Sequence, residues 1–492
     1  MLIYMNLTPV VLYDYVHELV RMGYPGAEIT LEPSLDVETV ITVSAHKEDN
    51  VLVFAGEIRQ EEKTTDLSYL YNLPDENEQN EMHKAARIFI FKLLHKHLGK
   101  RVNTYGILTG VRPVKLVHRF LDKGYLPDAI KEILKEEYLL QEDKAELLTE
   151  VACNNRSYLL NKDEAHKLVS IYIGIPFCPS RCYYCSFPGA VLRSYEDEIP
   201  PFLKALTFEI EAISAFLNRK QVKVQTIYIG GGTPTVLSEK DTEYLFRLIK
   251  DNFISVCTSE ITVEAGRPDT LTYSKLKILK EAGVNRVCIN PQSMHDATLR
   301  AIGRNHDVKG VVEAFEWARK AGIENINMDI IVGLPGEGLK ENAHTAERIL
   351  LLQPENVTVH TLAVKRGAKM AEKEGKTVSK NQIEKVQKGV KYFSDVLNEA
   401  GYIPYYLYRQ KYMQASMENT GFSKNDRFCL YNIQMIEERQ TIIGLGGGAA
   451  SKFVNSEDWT LSSLYNPKNP EVYCETVYNL VNRKVDKLKC LN

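Results

Sequence analysis

Three cysteines crowd into a short stretch of this 492-residue chain, Pro176-Phe-Cys178-Pro-Ser-Arg-Cys182-Tyr-Tyr-Cys185-Ser-Phe187. Spacings of four and three bring three thiols around one point. Thiolates so placed suit zinc or an iron–sulfur cluster, since both bind cysteine sulfur. A zinc site closed as Cys3His would want a histidine at typical spacing, and the loop has none, so zinc is the weaker reading. Three coincident core cysteines are weaker still. A four-iron cluster held by three cysteines leaves one iron open to a small molecule. Cys153, Cys257, Cys288, Cys429, Cys474 and Cys490 are scattered along the chain, and buried apolar thiols are their default.

A second place with chemistry in it is Gly230-Gly231-Gly232-Thr233-Pro234-Thr235. Glycines without a Cβ let a charged ligand approach the backbone, and a run of N–H groups can receive its polar atoms. A plain tight turn has the same composition. Further along, Glu264 ends the third apolar run, Gln292 follows the fourth, Asp329 lies within the fifth and His360 stands at the sixth. Such groups are costly inside a core without partners, which points them at a cavity. For any one of them a capping role is an equal alternative, and for His360 so is a satisfied core histidine.

The elements that must position these residues follow a rhythm. From about Val169 the chain repeats apolar strand, turn and amphipathic helix, with strands at Ile171-Tyr-Ile-Gly-Ile, Thr226-Ile-Tyr-Ile, Ile261-Thr-Val, Arg286-Val-Cys-Ile, Ile326-Asn-Met-Asp-Ile-Ile-Val and Val357-Thr-Val. Helical stretches lie between them at Phe202–Asn218, Lys240–Asn252, Leu271–Ala282, Val311–Ala321 and Asn342–Leu352. This predicts an α/β fold in which a parallel sheet curves into a partial (β/α)6 barrel with the helices outside, so a ligand belongs at the carboxyl ends of the strands. The glycine loop ends the second strand, where such a ligand would sit.

We place this barrel at residues 166–375. It is preceded by an N-terminal α+β extension (1–165) and followed by a smaller, mainly helical C-terminal domain on the substrate side (376–492). Within the extension, a first strand over residues 1–9 and alternating runs between about 27 and 58 predict a small antiparallel sheet, and Asn77–Gly99 predicts a helix with Gly99 as C-cap. The turn-rich Gly106-Ile-Leu-Thr-Gly-Val-Arg-Pro113 reads equally as connector or functional loop. Gly444-Leu-Gly446-Gly-Gly448-Ala449 satisfies a dinucleotide fingerprint on paper, but the sequence after it offers no strand ending in an acidic residue, so we read a tight loop near the active site.

Composition excludes whole classes. Hydrophobic residues at 44% and charged residues at 25% are globular values, which argues against a disordered tail, a collagen or a disulfide scaffold. Lys plus Arg number 61 against 64 Asp plus Glu, a net charge of −3, so no global basic field attracts nucleic acid or an anionic membrane. No window reaches the ~20 apolar residues of a membrane span. The first residues lack a basic segment ahead of their apolar stretch, and nine cysteines are too few for a disulfide framework. The expectation is a cytoplasmic protein with reduced thiols, and a monomer.

The Cys-x3-Cys-x2-Cys spacing, with Tyr184 just before the last cysteine and a barrel's first strand before the first, resembles the radical S-adenosylmethionine superfamily over about residues 169–365. The resemblance implies that Cys178, Cys182 and Cys185 ligate a [4Fe-4S] cluster whose open iron chelates S-adenosylmethionine. One electron from the reduced cluster then cleaves the sulfonium bond to give a 5′-deoxyadenosyl radical. It also implies that Tyr184 packs beside the cofactor and that Gly231, Gly232 and Thr233 contact its methionine part. Glu264, Gln292, Arg304 and Asp329 match positions that hold its ribose, amino and carboxylate groups.

Ile175-Pro-Phe-Cys178, Pro291-Gln-Ser and Asp329-Ile-Ile-Val-Gly-Leu-Pro335 are similar to the oxygen-independent coproporphyrinogen III oxidases. Leu108-Thr-Gly-Val-Arg-Pro113 and Ser170–Cys178 look most like the HemZ-type branch. That family implies oxidative decarboxylation of two propionates of a porphyrinogen to vinyls, with reduced flavodoxin or ferredoxin as electron donor and Tyr172 near the reacting center. Two positions depart from the family: Phe187 stands where authentic oxidases have a fourth cysteine, and Gly174 where they have a histidine. Haem chaperones of the same family carry His-Asn-x-x-Tyr-Trp where this chain has Tyr431-Asn-Ile-Gln-Met-Ile436, so the chaperone's haem histidine is missing here. A chaperone role and a related radical methyltransferase or haem-degrading activity are the alternatives. Arg181, Lys365, Arg366 and Arg409 are the candidate cations for a tetracarboxylate substrate.

Overall fold

The strand and helix rhythm read from Val169 onward is present in a computed structural model that describes residues 1–74, 78–185, 190–363, 380–410 and 417–489. The N-terminal strands are β1 (Leu2–Thr8), β2 (Glu28–Thr30), β3 (Thr39–Glu48), β4 (Val51–Gln60) and β5 (Lys63–Asn72), in the order β2-β1-β3-β4-β5. This sheet is mixed rather than antiparallel: β1 pairs in parallel with both β2 and β3. The reason is the helix Leu12–Gly23, which carries the chain from β1 back over the sheet and so returns it in the same direction. Its buried Leu12, Val16, Leu19 and Val20 share one face. The helix Glu78–Leu98 ends at Gly99, whose φ of +63° suits a left-handed C-cap.

The second sheet holds β6 (Leu168–Ile175), β9 (Lys223–Gly231), β10 (Glu260–Glu264), β11 (Arg286–Cys288), β12 (Asn325–Val332) and β13 (Asn356–Thr361), separated from the short pair β7 (Phe177–Cys178) and β8 (Ala190–Val191). β6, β9, β10, β11, β12 and β13 are neighbors in that order, all parallel. Their outer helices start where the sequence supplies a cap. Ser238 Oγ accepts from the Asp241 N–H, Thr272 Oγ1 from Lys275 and Asp307 Oδ1 from Gly310, each cap worth ~1 kcal/mol. Nearly continuous apolar strands such as Leu168–Ile175 are explained by burial on both faces.

Residues 403–465 differ from the mainly helical content expected there. They supply β14 (Ile403–Tyr408), β15 (Asn419–Ser423), β16 (Thr441–Gly446), β17 (Ala450–Val454) and β18 (Leu461–Tyr465), which extend the same sheet at both edges to eleven strands. β14 and β15 add beyond β13, while β16 lies parallel beside β6 and leads to antiparallel β17 and β18. β16, Thr-Ile-Ile-Gly-Leu-Gly, is buried throughout and so shows no alternation to read. Its glycine-rich end turns directly into β17 with no helix following, which excludes a dinucleotide fold. The turn instead packs beneath the cysteine loop: a Cβ on Gly174 would meet the Gly447 carbonyl at 2.6 Å. A side chain at position 174 therefore has no room here.

The Gly106–Pro113 loop is a connector. Arg409 N–H donates to Val111 O (2.7 Å), and Arg112 pairs with buried Glu438 (2.6 Å). Arg409 is thereby removed from the substrate cations: it is buried, donates from Nη1 to Leu108 O, and lies over the Tyr105 ring at 4.4 Å. Lys365, Arg366 and Phe187 lie outside the described residues. Among the described residues no helix is long and apolar enough to cross a membrane.

Candidate functional site

The site begins with an anchor. Phe177, fully buried, packs edge-on against Phe202 at 5.2 Å and fixes the chain just before Cys178, a contact worth ~1 kcal/mol beyond its burial. Leu192 N–H closes on Cys178 O (3.0 Å) and Cys185 N–H on Cys182 O (3.2 Å), so the loop folds back over itself. Cys178, Cys182 and Cys185 line one cavity at the carboxyl ends of the barrel strands, together with Tyr184, Gly231, Gly232, Thr233, Glu264 and Arg304.

The glycines are there for space. Gly232 N–H donates to Ile175 O (2.8 Å), and a Cβ on Gly232 would come within 2.5 Å of Phe177 O and 3.0 Å of Cys178 Sγ. Gly231 has φ +108°, a conformation that L side chains rarely adopt. A Cβ on Gly230 would strike the Glu264 carboxyl at 2.8 Å. Thr233 Oγ1 donates to Cys178 Sγ at 3.5 Å.

Glu264 accepts from Tyr228 OH (2.8 Å) and from Gly231 N–H (3.2 Å). Burial, reinforced by the nearby Asp329 charge, pushes its carboxyl up to about 7 against those two hydrogen bonds. Arg304 donates to Gly266 O and to Tyr184 OH, both at 2.8 Å, while its Nε is buried with no partner. Burial pushes the Tyr184 phenol up although Arg304 opposes it, so Tyr184 stays neutral.

Gln292, Asp329 and Tyr172 are not among the residues lining this cavity. Gln292 N–H donates to Asp329 O (2.9 Å), its φ is +66°, and its Oε1 is buried without a partner. Asp329 accepts from Asn327 Nδ2 (2.7 Å) and lies 3.7 Å from His360 Nε2. Burial raises the Asp329 carboxyl, but His360 and Asn327 outweigh it and hold the group below the usual range. Tyr172 stacks on Tyr228 at 6.0 Å and on Tyr431 at 6.2 Å, and burial beside Glu264 pushes its phenol well up. His360 Nδ1 sits 3.4 Å from Tyr408 OH, so contacts link Tyr172, Tyr228 and Glu264 on one side of the interior and Asp329, His360 and Tyr408 on the other.

Sequence reasoning missed Asn290, Gly266, Ser180 and Arg267, which also line the cavity. Asn290 was two residues from a position we had singled out, and its Oδ1 accepts the Asp329 N–H (3.2 Å). Arg267 carries no motif in the sequence, yet it is 5% exposed, grips Asp269 through Nε and Nη2 (3.0 and 2.9 Å) and points Nη1 at Cys182 Sγ (3.5 Å).

A thiol-lined cavity at the carboxyl end of a parallel βα barrel defines the class of radical S-adenosylmethionine proteins, and residues 172–349 match the Radical SAM superfamily. Over nearly its whole length the chain is similar to the "Oxygen-independent coproporphyrinogen-III oxidase-like protein HemZ" of Bacillus subtilis strain 168, 36% identical across 97% of this chain and 96% of HemZ. The chain therefore belongs to the oxygen-independent coproporphyrinogen-III oxidase-like family of radical S-adenosylmethionine proteins. A 196-residue stretch is 43% identical to the heme chaperone HemW of the same organism, covering 40% of this chain and 50% of HemW. In fold it is similar to the coproporphyrinogen III oxidase HemN of Escherichia coli, at a TM-score of 0.52 and 22% identity over 65% of this chain and 72% of that one.

The cofactors of this family are a [4Fe-4S] cluster and S-adenosylmethionine. In donor chemistry the residues present suit both, and among the described residues the three cysteines share the cavity without being drawn together as a metal site. Three thiols share a cavity in which N–H and O–H groups reach two of their sulfurs, as cluster sulfurs require. The absence of a Cβ lets the glycine loop pack directly against Phe177, Cys178 and Glu264, and buried Arg304 Nε and Gln292 Oε1 await partners.

Proposed function

We propose that this protein is an enzyme that converts coproporphyrinogen III to protoporphyrinogen IX without oxygen, by oxidative decarboxylation of two propionates to vinyls. The observation that carries the reading is the barrel interior. Glu264 lines the thiol cavity and, through its hydrogen bond with Tyr228, joins it to the packed tyrosines Tyr172, Tyr228 and Tyr431, so an aromatic interior backs the cavity in which a tetrapyrrole would meet the cofactors. The full-length relation to HemZ supports it.

In this reading Cys178, Cys182 and Cys185 hold the cluster. The Gly231–Thr233 backbone, Glu264, Gln292, Arg304 and Asp329 hold S-adenosylmethionine, and Tyr184, kept neutral by burial, packs beside it. A guanidinium such as Arg304 matches a carboxylate in shape and charge. When bound, this cofactor pair supplies the 5′-deoxyadenosyl radical that takes a hydrogen atom from a propionate β-carbon. The propionate then loses CO2, and one electron passes to an acceptor as the vinyl forms. Reduced flavodoxin or ferredoxin supplies the electron that starts the cycle. Tyr172, held as the neutral phenol, orients the substrate against the wall.

Haem transfer on the same scaffold is a second reading, favored by the 43% identity to HemW over 196 residues. Against it, Tyr431, which begins the stretch comparable to the chaperone's haem motif, is 3% exposed and stacks on Tyr228 at 4.4 Å, so it is occupied as packing. The test is anaerobic incubation of reconstituted protein with reductant, S-adenosylmethionine and coproporphyrinogen III. Vinyl product with CO2 release is the expected result. Tight haem binding with neither product would overturn it in favor of the second reading.

A further inference from the structure

Arg267 stands in the loop after β10, three residues beyond Glu264, and its guanidinium is fixed on every side. Asp269 takes Nε and Nη2 in a bidentate grip (3.0 and 2.9 Å). Nη2 also donates to Ser180 Oγ (2.9 Å), and Nη1 reaches Ser180 O at 3.4 Å and Cys182 Sγ at 3.5 Å. Ser180 and Cys182 belong to the cysteine loop, so one buried cation ties that loop to the barrel and places a full positive charge against one of its sulfurs. His306 Nδ1 stands 3.7 Å from Asp269 Oδ1, the oxygen that also takes Arg267 Nε.

We propose that Arg267 is a positioning residue that raises the reduction potential of the cluster by its charged hydrogen bond to Cys182 Sγ, and that Asp269 limits the effect. This rests on the reading of Cys182 as a cluster ligand. The physical argument is a difference between two oxidation states. One-electron reduction, by a low-potential one-electron donor, adds a negative charge to the cluster and shares it onto the ligand sulfurs. A fixed cation at hydrogen-bond distance stabilises that extra charge more than the oxidised state, and hydrogen bonds to the sulfurs are an established lever on potential. The site is buried, so the interaction is weakly screened. Asp269 orients the fork and offsets part of its charge. A lysine could supply the charge but not the planar fork that meets Asp269, Ser180 and Cys182 together.

A residue that merely propped the loop would change cluster loading without ordering the potentials. The electrostatic role makes Arg267→Met and Asp269→Asn move them in opposite directions. The experiment is an electron-resonance redox titration of the reconstituted full chain, with iron and sulfide content measured on each sample. Arg267→Met should make reduction about tenfold less favorable, a shift of ~59 mV to more negative potential. Asp269→Asn should shift it to more positive potential, and Arg267→Lys should fall between wild type and Arg267→Met. Equal potentials for wild type and Arg267→Met at equal iron content would overturn the proposal, as would shifts of the same sign in the Met and Asn variants. Should Arg267→Met take up no iron, Asp269→Asn against wild type decides: a positive shift supports the role, and none or a negative one overturns it. A wild-type protein that forms no four-iron cluster would instead overturn the cluster reading beneath it.

Discussion

The two ends of the barrel treat buried charge in opposite ways. At the amino end, Glu260 at the start of β10 accepts from Leu430 N–H (3.0 Å), Tyr431 N–H (3.1 Å), Cys429 Sγ (3.2 Å) and Arg286 Nε (3.4 Å). Arg286 in turn donates to Asn356 Oδ1 and to the carbonyls of Arg427 and Phe428. This network caps the helix Leu430–Glu437 and seats it across that end, and all the polar atoms of both side chains have partners. At the carboxyl end, buried Arg304 and Gln292 keep unpartnered atoms, Gln292 and Gly231 hold positive φ, and Glu264 is pushed toward neutrality. The Glu260–Arg286 pair is fully partnered, although Gln434 Oε1 and Glu437 Oε2 on the helix it caps are not, whereas at the carboxyl end the unpartnered Arg304 and Gln292 atoms stand beside a cavity that a ligand completes.

The contrast can be broken from either side. The largest stability effect is expected at the closed end: Arg286→Met leaves the Glu260 carboxylate buried without its cation and should cost ~3–5 kcal/mol in urea unfolding, with Glu260→Gln in the same chain recovering part of it. At the open end, Gly232→Ala drives a Cβ onto Phe177 O and Cys178 Sγ. It should lower iron content on reconstitution while costing only ~1–3 kcal/mol of stability. A smaller effect follows from Glu264. Its folded pKa of about 7 lies above the ordinary carboxylate value of 4.5, so the folded state holds an extra proton in that window. Stability of the cofactor-free protein is therefore present below pH 4.5 and lost as pH rises to about 7, by at most ~3 kcal/mol. Unfolding measured at pH 5 and 7.5 should show this slope, and Glu264→Gln should flatten it.

The open end was legible in the sequence because its residues follow strand ends. Cys178, the glycine loop and Glu264 fall where a βα fold places its ligand, and that regularity reveals them without any contact information, whereas Arg304, which follows a helix, was read only from the family resemblance. The closed end was not legible. Glu260, Arg286, Asn356 and the helix that begins at Leu430 are far apart in sequence, and no local pattern says that they meet. The same applies to Arg267 and Cys182: the sequence marks Cys182 as a ligand, and nothing local ties Arg267, 85 residues on, to it. The strands of residues 403–465 escaped for another reason: Ile403-Pro-Tyr-Tyr-Leu-Tyr and Thr441-Ile-Ile-Gly-Leu-Gly are buried on both faces, which erases the alternation that marks a strand.

The central claim, that the open end holds a cluster and S-adenosylmethionine together, is tested most directly by electron resonance of the reduced, anaerobically reconstituted protein with and without S-adenosylmethionine. The account predicts a four-iron signal that changes when S-adenosylmethionine is added and is absent in Cys182→Ala. A stoichiometric zinc content in place of iron, or a four-iron signal indifferent to S-adenosylmethionine, would contradict it.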